Sequence, residues 1–130
     1  AYTVHRTLGP GLLESAYQQC LAIELAHVGL SVEREKILPL VYRGHPIETA
    51  YRLDLIINGQ LLVELKAADS TLPIHQAQVV TYLKLLQLPL GLLINFNVPL
   101  IKNGITRVLN LDFQTEIIPP LSETAHARLT

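Results

Sequence analysis

The sequence has no methionine, no tryptophan and a single cysteine. One cysteine excludes an internal disulfide framework and fits a reducing, cytoplasmic compartment. Cys20 falls in a helical apolar pattern and is read as a core residue. The absence of methionine predicts that residue 1 is not the native start. Ala1–Arg6 accordingly reads as the end of a helix that begins upstream. Charge is scarce, 16% of residues against 49% hydrophobic, which excludes disorder over most of the chain. The 130 residues suit one domain with a core that needs no staples. No signal-peptide pattern is visible. The most apolar stretch, residues 83–101, is broken by Pro89 and Pro99 and carries Lys84, Gln87, Asn95 and Asn97, so it is not a membrane span. Positive charge is not in excess either. A net charge of −1 counts against tight, sequence-blind nucleic-acid binding by electrostatics alone, although a bound cation would change the local field.

What is present centres on residues 51–66, two alternating apolar segments joined at Asn58-Gly59, a strong hairpin signal. Side chains in a strand alternate between faces. Leu53, Leu55 and Ile57 therefore share one side of the first strand, and Arg52, Asp54 and Ile56 the other. In the second strand Leu61, Val63 and Leu65 share a side, opposite Leu62, Glu64 and Lys66. Matching the dry sides pairs Asp54 with Glu64 and Arg52 with Lys66, since a one-residue slip would bury Asp54 in the core. That register requires an odd number of loop residues or a bulge.

The remaining chain supplies a frame. Gly9-Pro10-Gly11 precedes a helix whose apolar side runs through Leu12, Ala16, Cys20, Ile23 and Leu30, widened by Leu13, Tyr17, Leu21, Leu25 and Val28. Gly29 is its expected stop. Residues 31–42 alternate as a half-exposed strand kinked at Pro39, with Val32, Arg34, Lys36 and Leu38 on one side. Residues 43–46 form a turn, with His45 a solvated loop residue. A helix is expected from about Pro73 to Gln87, capped by Ser70 or Thr71, with Val79, Val80, Leu83 and Leu86 as its core stripe. His75, Gln78 and Tyr82 fall on another side. Residues 90–96 read as a buried strand reached by a parallel crossover, and residues 105–109 as an edge strand. The pattern fades after Asp112, and Pro119-Pro120 opens a tail. The fold class is α/β, a small mixed sheet flanked by helices. The expected domain covers residues 1–110, with a tail over 111–130.

Two carboxylates facing each other repel and are seldom buried unless paired or bound to metal. Oxygen ligands suit Mg²⁺ or Mn²⁺. Glu64 and Lys66 project from the same strand face, and a lysine beside a metal-bound water suits phosphodiester hydrolysis. The alternative is a metal-free salt-bridge cluster of Arg52, Asp54, Glu64 and Lys66. Glu14 shares a helix face with Tyr17 and sits where a carboxylate also suits the helix dipole.

Four motifs in order resemble the GxxExxY family, a branch of the PD-(D/E)XK nuclease superfamily. They are residues 11–17 (Gly11, Glu14 and Tyr17), Asp54 with Glu64-Leu65-Lys66, Gln78 with Tyr82, and residues 91–96. Leu53 stands where the superfamily name has proline, a position that need not do chemistry. The resemblance implies a restriction-endonuclease-like αβββαβ core. It implies Asp54 and Glu64 as ligands of Mg²⁺ or Mn²⁺, with the backbone carbonyl of Leu65 and Glu14 as further ligands, Glu14 alternatively holding water. Lys66 would position the attacking water, and Gln78 and Tyr82 would contact the phosphate or orient Lys66. His75 is read as a helix-surface or capping residue, with reach to metal or substrate as the alternative.

The expected function is a metal-dependent nuclease acting on DNA, with no membrane association. A homodimer suits one small site per chain. The competing expectation is a non-catalytic module that keeps the fold and acts through a protein or nucleic-acid partner. No helix-turn-helix or zinc finger for sequence-specific reading is present.

Overall fold

The computed structural model describes residues 1–113, and of residues 48–50 the backbone alone. The expected tail therefore lies, from residue 114, outside the described residues. Helices α1 (Tyr2–Leu8) and α2 (Glu14–His27) precede strands β1 (Val32–Tyr42), β2 (His45–Ile57) and β3 (Leu61–Lys66). Helix α3 (Pro73–Leu86) leads to β4 (Leu90–Asn95), a 3-10 turn (Ile101–Gly104) and β5 (Ile105–Leu109). The five strands lie in chain order across one mixed sheet. Among the described strands only β3 and β4 pair parallel, joined by a helical crossover. The expected αβββαβ core is there, with α1 ahead of it and β5 behind it. No described helix is long and apolar enough to cross a membrane.

The sheet is covered on both faces. On one, Tyr17, Leu21 and Leu25 of α2 pack on Leu55, Ile57, Val63, Leu65, Leu92, Ile94 and Phe96. On the other, Val79 and Leu83 of α3 pack on Leu53, Ile56, Leu62 and Leu93. This double burial is why β3 and β4 read as nearly continuous apolar runs. Gly91 admits the close approach of α3, since a Cβ there would lie 2.9 Å from Val79 Cγ1.

Helix α2 turns a different side inward from the one its apolar residues suggest. Tyr17, Gln18, Leu21, Ala22 and Leu25 are buried, whereas Ile23 is exposed, as are Leu12 and Leu13, which precede the helix instead of lying in it as expected. Apolar residues occur almost all round this helix, so periodicity could not select the face. The phenol of Tyr17 decides it locally. It stacks on Phe96 with centroids 4.4 Å apart, donates to Gly9 O at 2.6 Å and accepts from Leu12 N–H.

The β1–β2 turn is shorter than expected. Arg43 and Gly44 both take positive φ, the signature of a two-residue hairpin turn, and exposed His45 already pairs with Tyr42. The expected irregularity at Pro39 appears as a register shift between Leu38 and Leu40. Helix α3 starts at Pro73 with Leu72 as its N-cap, two or one residues later than the expected Ser70 or Thr71. Leu72 N–H donates to His75 Nδ1, and His75 N–H donates to Leu72 O. His75 is thus a capping residue.

Candidate active site

The hairpin connection has three residues, 58–60, because Ile57 pairs with Leu61. The odd count expected from the carboxylates is what the chain adopts. Asn58 and Gly59 supply the positive φ this needs, and Asn58 Oδ1 accepts from Ser31 N–H, tying the loop to the start of β1. Continuing the same offset sets Asp54 across from Glu64.

At that point the backbone ladder stops. Its last pair is Leu55 with Val63. Beyond it, side chains take over the main-chain partners. Asp54 N–H donates to Glu64 Oε1 at 3.0 Å, and Leu65 N–H donates to Asp54 Oδ2 at 2.8 Å. The N–H and C=O of one strand residue face the same edge, so the carbonyl of Leu65 also faces β2 at this opening.

The ladder breaks on the other side of Asp54 as well. Arg34–Leu55 and Lys36–Leu53 pair, but Glu35, which lies between them opposite Asp54, does not. Glu35 takes φ +50, a left-handed conformation uncommon for a residue with a side chain. Both strands change face there. Val32, Leu55 and Ile57 pack on the α2 side, and Leu38 and Leu53 on the α3 side. This corrects the single dry side of Leu53, Leu55 and Ile57, and likewise the shared side of Val32 and Leu38.

Glu64 is 8% exposed. Burial, then the nearby Asp54 carboxylate, pushes its pKa up to about 8, against the pull of the Asp54 N–H and of Lys66. The salt-bridge alternative is not what the chain forms. Among the described residues the ion pairs are Lys36–Glu33 and Lys84–Asp112. Arg52 is exposed and sits across from Ile37 of β1. Lys66 acts on Glu64 through space without pairing with it.

The helices bring further groups. Glu14, in the first turn of α2, accepts from Ala67 N–H at 3.3 Å, just past Lys66. The Tyr82 phenol, whose pKa is raised by burial and then by Glu64, feels both site carboxylates from α3 and also contacts the Tyr51 ring at 5.5 Å. Gln78 is exposed one turn earlier and makes no hydrogen bond with the site among the described residues. His75 is engaged at the helix cap. Asn95 secures the segment after Lys66, donating to Ala68 O and accepting from Ala68 N–H. Sequence reasoning missed Gln18. Its Nε2 donates to Asp54 Oδ1 at 3.2 Å. The available signal was its spacing of four from Glu14, which puts both on one helix face.

No group of three or more His, Cys, Asp or Glu side chains converges among the described residues. Two carboxylates with a backbone carbonyl are nevertheless a donor set that suits Mg²⁺, which is held by one or two carboxylates while keeping waters or substrate oxygens. The oxygen-only chemistry fits a hard cation and argues against zinc or copper.

A family model described as the PD-(D/E)XK nuclease superfamily matches residues 1–108. No curated protein and no solved structure matches the chain.

Proposed function

Because the chain belongs to the PD-(D/E)XK nuclease superfamily, we propose that it is a Mg²⁺- or Mn²⁺-dependent nuclease of the GxxExxY branch that hydrolyses DNA phosphodiester bonds. The observation that carries this reading is the Asp54–Glu64 pair, with Asp54 half-buried and Glu64 buried. Two carboxylates meet where the ladder opens, and among the described residues no cationic side chain is paired to either. A divalent cation relieves that repulsion.

Asp54, Glu64 and the Leu65 carbonyl would hold the cation, with Glu14 beside them. When bound, it would polarise a phosphoryl oxygen and acidify a water. Asp54 is held at both carboxylate oxygens, by Leu65 N–H and by Gln18, so it offers lone pairs in a preset direction. Lys66, on the Glu64 strand and without an ion-pair partner among the described residues, would orient the attacking water and offset phosphate charge. Tyr82 would approach the phosphate from α3, and exposed Gln78 would reach substrate rather than the strand. A pair of such chains would place one site on each strand of a duplex.

The test is cleavage of linear, single-stranded and branched DNA, and of RNA, with Mg²⁺ or Mn²⁺. DNA cleavage should be abolished by Glu64→Ala and by Lys66→Ala. A cation-loaded protein inert on all four substrates would favour a non-catalytic module instead.

A further inference from the structure

We propose that Gln18 is a positioning residue for Asp54, and that Arg34 fixes the Gln18 amide in its donating orientation. This rests on reading the Asp54–Glu64 pair as a cation site. Gln18 is 5% exposed, on a helix face otherwise lined by Tyr17, Leu21, Ala22 and Leu25. Burying an amide is costly unless both its ends are satisfied. Two groups satisfy this one. Nε2 donates to Asp54 Oδ1 at 3.2 Å, and Oε1 accepts from an Arg34 guanidinium N–H at 3.4 Å.

A glutamine amide can present either its oxygen or its nitrogen, and its partners decide which. Reversed, Gln18 would point its oxygen at the Asp54 carboxylate and its N–H groups at a guanidinium, so both contacts would become repulsive. Arg34 therefore acts as the lock. It is placed for this by β1, where it pairs with Leu55 immediately before the left-handed Glu35.

The arrangement suits a cation ligand better than a direct ion pair would. An arginine fork on Asp54 would occupy its lone pairs and repel an incoming cation. A neutral amide fixes the carboxylate without doing either, while Leu65 N–H holds the second oxygen. Helix α2 thus delivers two side chains, Glu14 and Gln18, to the open end of the β2–β3 ladder.

The experiment uses the full chain and two readouts. Exchange of the Leu65 amide in EDTA reports the orientation of Asp54 without metal, and calorimetric titration reports Mn²⁺ affinity. In Gln18→Leu the Leu65 amide should exchange about fivefold faster or more, with no drop in melting temperature in EDTA. Mn²⁺ should bind about tenfold more weakly. Arg34→Met should move both readouts in the same direction by less, and Arg34→Lys should restore them. Arg34 is exposed, so its variants carry the test if Gln18→Leu fails to fold. Wild-type Mn²⁺ affinity and unchanged Leu65 exchange in Gln18→Leu and Arg34→Met would overturn the proposal. Wild-type protein that binds no Mn²⁺, while Leu65 exchange still responds to Gln18→Leu, would instead overturn the cation-site reading beneath it.

Discussion

The backbone N–H of Asp54 donates to the side chain of Glu64, not to a carbonyl of the facing strand. Each carboxylate thereby closes the end of the ladder for the other strand, since Asp54 accepts in turn from Leu65 N–H. The same contacts that satisfy the backbone force two carboxyl groups together, and one of them keeps its proton up to about pH 8. The site's chemistry and its contribution to stability follow from that conflict.

Stability without divalent cations should depend on pH in a direction set by Glu64. Its folded pKa of about 8 lies above the ordinary 4.5, so the folded state keeps a proton that the unfolded state has released. The contribution of Glu64 is therefore fully present below about pH 4.5 and is lost as pH rises towards 8, by a few kcal/mol at most. Urea melts in EDTA at pH 5, 6.5 and 8 should show the decline. Glu64→Gln should flatten it, because the amide oxygen still accepts from Asp54 N–H. Mn²⁺ should restore stability, and more strongly at higher pH, where the carboxylate is free to ionise. A wild-type slope that is unchanged in Glu64→Gln would contradict this assignment.

Tyr17 should matter for architecture ahead of chemistry. Its phenol holds Gly9 and Leu12, the chain that leads into Glu14, while its ring stacks on Phe96. Tyr17→Phe keeps the stack and leaves the Gly9 carbonyl and Leu12 N–H without their partner, which should cost about 1–3 kcal/mol. Tyr17→Ala should cost about 3–5 kcal/mol. Denaturant melts of the two variants measure the difference: a wild-type-like Tyr17→Phe would mean the phenol hydroxyl contributes nothing, and equal losses would mean the ring stack does not.

Two glycines should respond differently to alanine. At Gly104 a Cβ would run into the carbonyl oxygen of Asn95, a backbone atom. Gly104→Ala should therefore displace the end of β4 and loosen the Asn95 bonds to Ala68. At Gly91 the nearest obstacle is the Val79 side chain and not a backbone atom. Gly104→Ala should lower stability by more than the 1–3 kcal/mol usual for overpacking, and Gly91→Ala should stay within it. Thermal melts decide the order, and faster exchange of the Ala68 amide in Gly104→Ala alone would locate the damage.

Much of the frame was legible because local chemistry and global packing agree. The Asp54–Glu64 alternation demanded an odd hairpin connection, and Asn58 and Gly59 are residues that tolerate it. The apolar run at 90–95 could only be a strand covered on both faces. The face change at Asp54 was hidden because it depends on a left-handed Glu35, and glutamate does not advertise positive φ. Gln18 was hidden because its partners lie 16 and 36 residues away, on strands whose relation to α2 only tertiary packing fixes. The buried face of α2 was ambiguous for the opposite reason, too many apolar residues. His75 had both a capping and a ligand reading, and helix geometry chose the cap.

On the function proposed above, Asp54 and Glu64 share a divalent cation. The most direct test is a crystal of the protein soaked in Mn²⁺, with anomalous density measured at the manganese edge. One peak in contact with both carboxylates is expected, absent from the Asp54→Asn variant. Fully occupied crystals with no peak between these two side chains, or with manganese bound only elsewhere, would contradict it.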